Sequence, residues 1–162
     1  MVSTDLFQPT SLILNQNISL NSPSFSPTRV LVVDDDRDTA ELLKYILKPS
    51  AYEVTIANTG EDGINLARKL TPDVMIVDLL MPDMDGLRVC QTVRQFSNTP
   101  ILVLSAVNKP NIALEALNCG ADDFLVKPMV SGVLIASVNK LARRARAEQK
   151  AQEASDNQNN QT

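Results

Sequence analysis

The sequence predicts an α/β protein: a doubly wound, five-stranded parallel sheet with five helices. Short apolar runs rich in Val, Ile and Leu alternate with segments of helical periodicity, five times between residues 29 and 147. The apolar runs are short for core helices and lack the polar alternation of half-exposed strands, which is typical of parallel strands buried on both faces. Acidic residues, Pro or Gly follow most of them.

Each element can be read from these runs. The predicted strands are RVLVVD (29–34), YEVTIA (52–57), DVMIVD (73–78), PILVLSA (100–106) and DFLVKP (123–128). The predicted helices are DRDTAELLKYILK (36–48), GEDGINLARKL (60–70), LRVCQTVRQFS (87–97), NIALEALNCG (111–120) and SGVLIASVNKLARRARAEQKA (131–151). In the first helix, the apolar residues Leu42, Leu43, Ile46 and Leu47 recur at helical spacing, and Pro49 follows as a stop signal.

Composition divides the chain into three parts. Residues 1–28 are rich in Ser, Asn, Thr, Gln and Pro and predict a disordered N-terminal arm. Residues 29–147 form the folded domain, and residues 148–162 form a polar C-terminal tail that we expect to fray. The basic cluster Arg143–Arg146 near the end of the last helix has two interpretations, a solvated helix end or a docking site for an acidic partner.

Charge and residue types exclude several function classes. The chain has no His, which removes the commonest general base and any Ser-His or Cys-His pair. Cys90 and Cys119 fall in no CxxC pattern and are interpreted as reduced core thiols of a cytoplasmic protein. The net charge of −4 argues against direct nucleic-acid binding. No apolar run approaches the roughly 18 residues of a membrane helix, so we expect no membrane partner.

Polar side chains follow four of the strands, where the carboxyl ends of a parallel sheet share one edge. These residues are Asp34, Asp35 and Asp36 after the first strand, Asp78 after the third, Ser105 after the fourth and Lys127 after the fifth. Crowded carboxylates need a cation, and without His or a suitable Cys the expected cofactor is a hard ion such as Mg²⁺. Mg²⁺ would keep Asp78 ionised and able to attack phosphorus, giving an aspartyl phosphate.

Four short motifs occur one after another over essentially all of residues 29–147. They are Asp34-Asp35 after VLVV, Asp78 in DVMIVDLLMPDMDG, Ser105-Ala106 in LVLSA, and Lys127-Pro128 in GADDFLVKP. With these residues the chain resembles the receiver domain of two-component response regulators, of the stand-alone type. The resemblance implies a flavodoxin-like receiver fold and a single-domain response regulator phosphorylated by a sensor histidine kinase. Such a domain signals through partner binding or phosphorelay, and it assists its own phosphorylation and dephosphorylation without being an enzyme.

The resemblance also implies individual roles. Asp78 is the phosphoacceptor; Asp34, Asp35, Asp78 and the backbone carbonyl of Leu80 hold Mg²⁺; Ser105 and Lys127 contact the phosphoryl group; Phe124 is the switch aromatic; and the Lys127–Pro128 peptide is cis. The family has no fixed role for Asp36, which we expect to cap the first helix. Neither Leu80 nor Val107, each two residues beyond a site residue, can orient an attacking water, so we expect slow self-dephosphorylation.

Two alternatives stay open. The first is a receiver of a DNA-binding regulator that lacks its output domain, because Asp122 and Asp123 match charged residues through which such receivers pair. The second is a phosphatase of the haloacid dehalogenase type, with Asp34 as nucleophile and Asp36 as general acid. That family usually has Gly where Arg37 follows here, and it leaves LLMPDMDG unexplained.

Overall fold

The computed structural model describes residues 27–50 and 52–159. Their strands are β1 (Thr28–Val33), β2 (Tyr52–Ala57), β3 (Val74–Asp78), β4 (Ile101–Ser105) and β5 (Asp123–Val126). Their helices are α1 (Arg37–Leu47), α2 (Gly60–Leu70), α3 (Gly86–Arg94), α4 (Pro110–Asn118) and α5 (Ser131–Asn159), with a 3₁₀ turn at Lys48–Ser50. All the strands pair in parallel in the order β2-β1-β3-β4-β5. The predicted doubly wound sheet with five helices is confirmed.

The sheet separates two apolar layers. Leu31 and Val33 point to the layer that contains Ala67 of α2, Val89 of α3 and Ala116 of α4. Their neighbours Val30 and Val32 point to the opposite layer, which α1 and α5 cover. Each fully buried Val, Leu or Ile contributes about 1.5–3 kcal/mol relative to an exposed position, so these central strands are the main source of stability.

Strand order sets the position of the polar edge. The chain leaves β1 for β2 on one side and returns to β3 on the other, so β1 and β3 are neighbours at the point where the strand order reverses. Val33 is in register with Val77. Asp34 and Asp78, each one residue further along, therefore emerge together at the crevice where ligands of such sheets bind.

The third acid of the DDD run caps α1, as expected. Asp36 is the N-cap residue, and its carboxylate accepts hydrogen bonds from the Asp38 N–H at 3.0 Å and the Thr39 hydroxyl at 2.8 Å. The bond from Thr39, followed by backbone bonds, holds the pKa of Asp36 below its usual value. Asp36 thus serves the helix end, where an anion is favoured.

Helix α5 is longer than the sequence indicates. It continues to Asn159, so most of the polar tail predicted from residue 148 is helical. Arg144 joins α5 to the domain through Asp122 at 2.6 Å and bonds Glu148 one turn along at 2.8 Å, and Arg146 donates to the Thr28 hydroxyl. Two arginines of the predicted basic cluster therefore make contacts within the chain.

Other predictions have mixed outcomes. The N-terminal arm lies outside the described residues except for its last two, and β1 begins at Thr28. Both cysteines are free. Cys90 is buried, and burial raises the pKa of its thiol to about 12, as for an inert core residue. Cys119 is only partly buried, so the prediction that it is a core thiol is wrong. Within the described ranges, no helix combines the length and apolar character needed to cross a bilayer.

Gly86 provides a test of how β3 joins α3. A Cβ atom there would lie 2.2 Å from the backbone oxygen of Asp78, whereas one at Gly132 would meet no described atom within 4 Å. We expect Gly86→Ala to lower the free energy of unfolding by about 1–3 kcal/mol, the usual cost of overpacking. Gly132→Ala, the matched control in α5, should be neutral or stabilising by up to about 1 kcal/mol. Urea denaturation measures both, and equal effects would contradict the proposed crowding.

Candidate functional site

Three carboxylates meet at the carboxyl edge of the sheet. Asp34 follows β1 and Asp78 ends β3; their exposed fractions are only 2% and 7%. Asp35 is less buried, and one carboxylate oxygen of each of the three acids lies within 4.8 Å of the others. The sequence expectation that these residues converge from distant parts of the chain is met by their geometry.

Lys127 joins two of these acids. Its Nζ lies 2.7 Å from Oδ1 of Asp78 and 3.1 Å from Oδ2 of Asp34. Burial raises the pKa of Asp34, and the nearby Asp78 raises it further. Lys127 lowers the pKa of Asp34, but the net shift is upward. Burial lowers the pKa of Lys127, but the bonds and charges of Asp78 and Asp34 outweigh it and the pKa is raised. Lys127 therefore stays an ammonium.

Backbone groups orient the other carboxylate oxygens. The Asp36 N–H donates to Oδ1 of Asp34 at 3.0 Å, and the Leu80 N–H donates to Oδ2 of Asp78 at 3.1 Å. Each of the two buried acids is thus held by one backbone donor and one ammonium. This fixes the rotation of both carboxylates without filling all of their acceptor positions.

The remaining predicted residues lie around this cluster. Ser105 ends β4 and is fully buried, and its Oγ accepts from the Val107 N–H at 2.9 Å. Phe124 is partly buried in β5 and packs against the apolar layer under α2, α3 and α4. The Lys127–Pro128 peptide bond is cis, and the Leu80 side chain is 57% exposed.

The donor set fits a hard divalent cation. Asp34, Asp35 and Asp78 offer only oxygen, the ligand that Mg²⁺ prefers. Three carboxylates and one ammonium leave two negative charges at the cluster when all are ionised. A divalent ion would neutralise that excess, which gives the observed residues a physical reason to bind one.

Two polar residues beside the cluster were not identified from the sequence. The Asn58 side-chain amide donates to the backbone oxygen of Asp34 at 3.1 Å. The Asp83 carboxylate accepts from the Gly60 N–H at 2.8 Å. The one sequence signal for them is that each lies in a turn. Asn58 precedes the N-cap residue Thr59, and Asp83 lies within the MPDMDG loop.

Comparison with known proteins identifies the family of this chain. Residues 30–139 match the model of the response regulator receiver domain. The chain belongs to that family. Receiver domains are phosphoacceptor signalling domains of two-component systems. The parallel sheet and the acidic cluster described above are consistent with membership of this family.

Curated relatives cover the same region. Response regulator MprA of Mycolicibacterium vanbaalenii is 40% identical over 119 residues, which are 73% of this chain and 52% of the relative. Response regulator MprA of Mycobacterium leprae is 37% identical over 125 residues, 76% of this chain and 55% of the relative. The chain thus spans about half the length of the curated relatives it matches.

Solved receiver structures share the fold. The receiver domain of the Francisella response regulator 1452 has a TM-score of 0.70 and 35% identity, covering 74% of this chain and 98% of that one. Chemotaxis protein CheY4 of Vibrio cholerae has a TM-score of 0.68 and 32% identity, covering 72% and 99%. The match therefore covers nearly all of both solved chains.

The raised pKa of Asp34 predicts that its charge destabilises the metal-free domain. We expect Asp34→Asn to increase the free energy of unfolding at pH 7 by on the order of 1 kcal/mol, a usual size for one buried polar change. A folded pKa above the unfolded value means that the cost of ionisation grows as pH rises through the folded pKa. The advantage of Asn should therefore shrink as pH falls towards 3.8.

Urea denaturation without divalent ions measures this difference. The control is Asp62→Asn, at an exposed acid in the first turn of α2. A wild type more stable than Asp34→Asn at pH 7 would contradict the electrostatic account.

Proposed function

We propose that this receiver domain accepts a phosphoryl group on Asp78 from the phosphohistidine of a sensor histidine kinase. The observation that carries the proposal is the setting of Asp78, at the end of β3 with Lys127 Nζ 2.7 Å away and two further acids beside it. In the proposed reaction a carboxylate oxygen of Asp78 attacks phosphorus. The P–N bond breaks, and its electron pair goes to the imidazole nitrogen of the kinase.

The metal ligands that we propose are Asp34, Asp35, Asp78 and the backbone carbonyl of Leu80. When bound, Mg²⁺ would offset the negative charge of the carboxylates and of the incoming phosphoryl oxygens. Asp34 and Asp78 are already oriented by backbone donors, so little rearrangement is needed to present their oxygens. Such pre-orientation lowers the cost of binding.

Lys127 has two partners to exchange. We propose that its ammonium leaves Asp34 when the metal binds and contacts a phosphoryl oxygen after transfer. A charge-assisted bond of this kind is stronger than one between neutral groups. The raised pKa of Lys127 supports this role, because the group remains charged at any physiological pH.

Ser105 and Phe124 are the proposed switch. The Ser105 hydroxyl is bound to its own loop at the Val107 N–H and would reorient to donate to a phosphoryl oxygen. That movement opens space beside the sheet, into which the partly buried ring of Phe124 would turn. The outcome is a changed surface around α4 and β5, which a downstream protein reads.

We propose signalling in the cytoplasm through partner binding or onward phosphotransfer. A second candidate is the receiver of a DNA-binding regulator. The relatives have about as much chain again outside the matched region, which is room for an output domain. Asp122 and Asp123, the charged residues expected to pair such receivers, here bond Arg94, Arg144 and Lys140 of the same chain. That favours the first candidate.

The phosphatase alternative has less support. Its general acid would be Asp36, but that carboxylate accepts bonds from the start of α1 instead. Asp34, its nucleophile, and Asp78 are bonded alike, each to Lys127 and to one backbone N–H, so these bonds do not separate the two interpretations. Asp36 is therefore the residue that counts against the phosphatase.

Asp78→Asn should abolish phosphorylation, because an amide oxygen is too weak a nucleophile to attack phosphorus. We expect wild type given Mg²⁺ and acetyl phosphate, or a cognate kinase, to gain one alkali-labile phosphoryl group. Intact-protein mass spectrometry and peptide mapping measure it. Asp62→Asn, the exposed control, should label normally, and a label of equal yield on Asp78→Asn would refute the proposal.

The phosphoprotein should lose its label slowly. Leu80 and Val107 carry apolar side chains that cannot hold an attacking water, so we expect a half-life well above seconds. Leu80→Asn adds a water-binding amide and should shorten the half-life roughly ten- to hundredfold, on the scale of one positioned polar group. Leu114→Asn, at an exposed leucine of α4, is the matched control. The half-lives are measured from the loss of radioactive label with time. A wild-type half-life of seconds would overturn the expectation.

A further inference from the structure

The junction between β2 and α2 contacts both walls of the acidic cluster. On one side the Asn58 amide donates to the backbone oxygen of Asp34 at 3.1 Å. On the other side the Gly60 N–H donates to the Asp83 carboxylate at 2.8 Å. We call Asn58, Gly60 and Asp83 the brace, because they connect the segment after β1 to the loop after β3.

The loop after β3 needs such a support. It runs from Leu79 to Asp85 without regular structure and carries Leu80, whose carbonyl is a proposed metal ligand. At its far end the Gly86 N–H donates to the Leu79 oxygen at 2.9 Å, which closes the loop on itself. That bond fixes the loop's ends, and Leu79 and Met81 are buried in the layer under α2, α3 and α4. The contacts with α2 therefore bear on the more exposed second half of the loop, residues 82–85.

Glycine at position 60 lets the loop approach α2 closely. A Cβ atom there would lie 2.9 Å from the Cβ of Met84, closer than side-chain contacts normally allow. Met84 therefore packs directly on the first residue of α2. The neighbouring Asp83 can then reach the Gly60 N–H, one of the donors that a helix start leaves without a partner inside the helix.

Asp83 is not needed to cap α2. The N-cap of that helix is Thr59, whose hydroxyl accepts from the Asp62 N–H at 3.1 Å. Asp83 is exposed and comes from another part of the chain, yet its carboxylate lies at the positive end of the α2 dipole. The contact therefore ties the loop to the helix more than it completes the helix.

We infer that Asp83 is a positioning residue of the metal site, setting the affinity for Mg²⁺ through the brace without touching the ion. This inference rests on the proposed function for the identity of the ligands. Asp83 holds the loop that carries Leu80, and Asn58 holds the segment that carries Asp34 and Asp35. Partners that bond a metal ligand directly change metal affinity about 10- to 100-fold when removed. The brace bonds backbone groups beside the ligands, so we expect an effect at the lower end of that range.

Calorimetric titration of the metal-free chain with Mg²⁺ tests the inference. Asp83→Ala removes the acceptor and should weaken Mg²⁺ binding about tenfold, and Asn58→Ala should weaken it in the same direction. Asp83→Asn keeps an oxygen that can accept from the Gly60 N–H and should stay within about twofold of wild type. Asp62→Ala removes one negative charge from the same helix end without touching the brace, and it should also stay within about twofold.

The outcomes separate the alternatives. If Asp83→Asn weakens binding as much as Asp83→Ala, the charge and not the brace matters, and the inference is overturned. A changed urea midpoint with unaltered Mg²⁺ affinity in Asp83→Ala would reduce Asp83 to a structural contact and also overturn it. Wild type that fails to bind Mg²⁺ would instead count against the proposed metal site itself.

Discussion

One ammonium between two buried carboxylates is the contact on which the rest of this domain depends. Lys127 follows β5, whereas Asp78 ends β3, so the side chain has to cross the end of β4. Two strand spacings amount to roughly 10 Å. A long, flexible side chain can bridge that gap only over a small residue, and Ser105 stands at the end of β4. The chemistry of the site and the order of the strands therefore require one another.

This arrangement costs stability. Burial raises the pKa of Asp34 because the charged form loses water, and Lys127 compensates only in part. The strands on either side offset the cost, since Val32, Val33, Ile76 and Val77 are almost completely buried. An apolar sheet thus carries a polar edge that costs stability, and the same exclusion of water strengthens the attraction of the carboxylates for a divalent ion.

Much of this could be predicted from the sequence because it depends on local pattern and on one rule of parallel sheets. Apolar runs identify the strands, and acids at their carboxyl ends must converge. The extension of α5 was missed because its residues are polar, although Ala, Gln and Glu favour helix without packing. Asn58 and Asp83 were missed for a different reason. Their bonds depend on how closely the loop approaches α2, and the spacing of apolar residues along the sequence does not indicate that distance.

Helix α5 links the site to the opposite edge of the sheet. It begins at Ser131, four residues after Lys127, and is joined further along to Asp122 by Arg144. Asp122 is itself held by Arg94 at 2.6 Å and by the Ile101 N–H at 2.9 Å. The middle of the helix is therefore fixed to the rigid part of the domain. The proposed shift of Lys127 from Asp34 to a phosphoryl oxygen acts on the segment that leads into the first turn of α5. A change at the acidic cluster therefore reaches the surface first at this exposed turn and at the neighbouring strand β5.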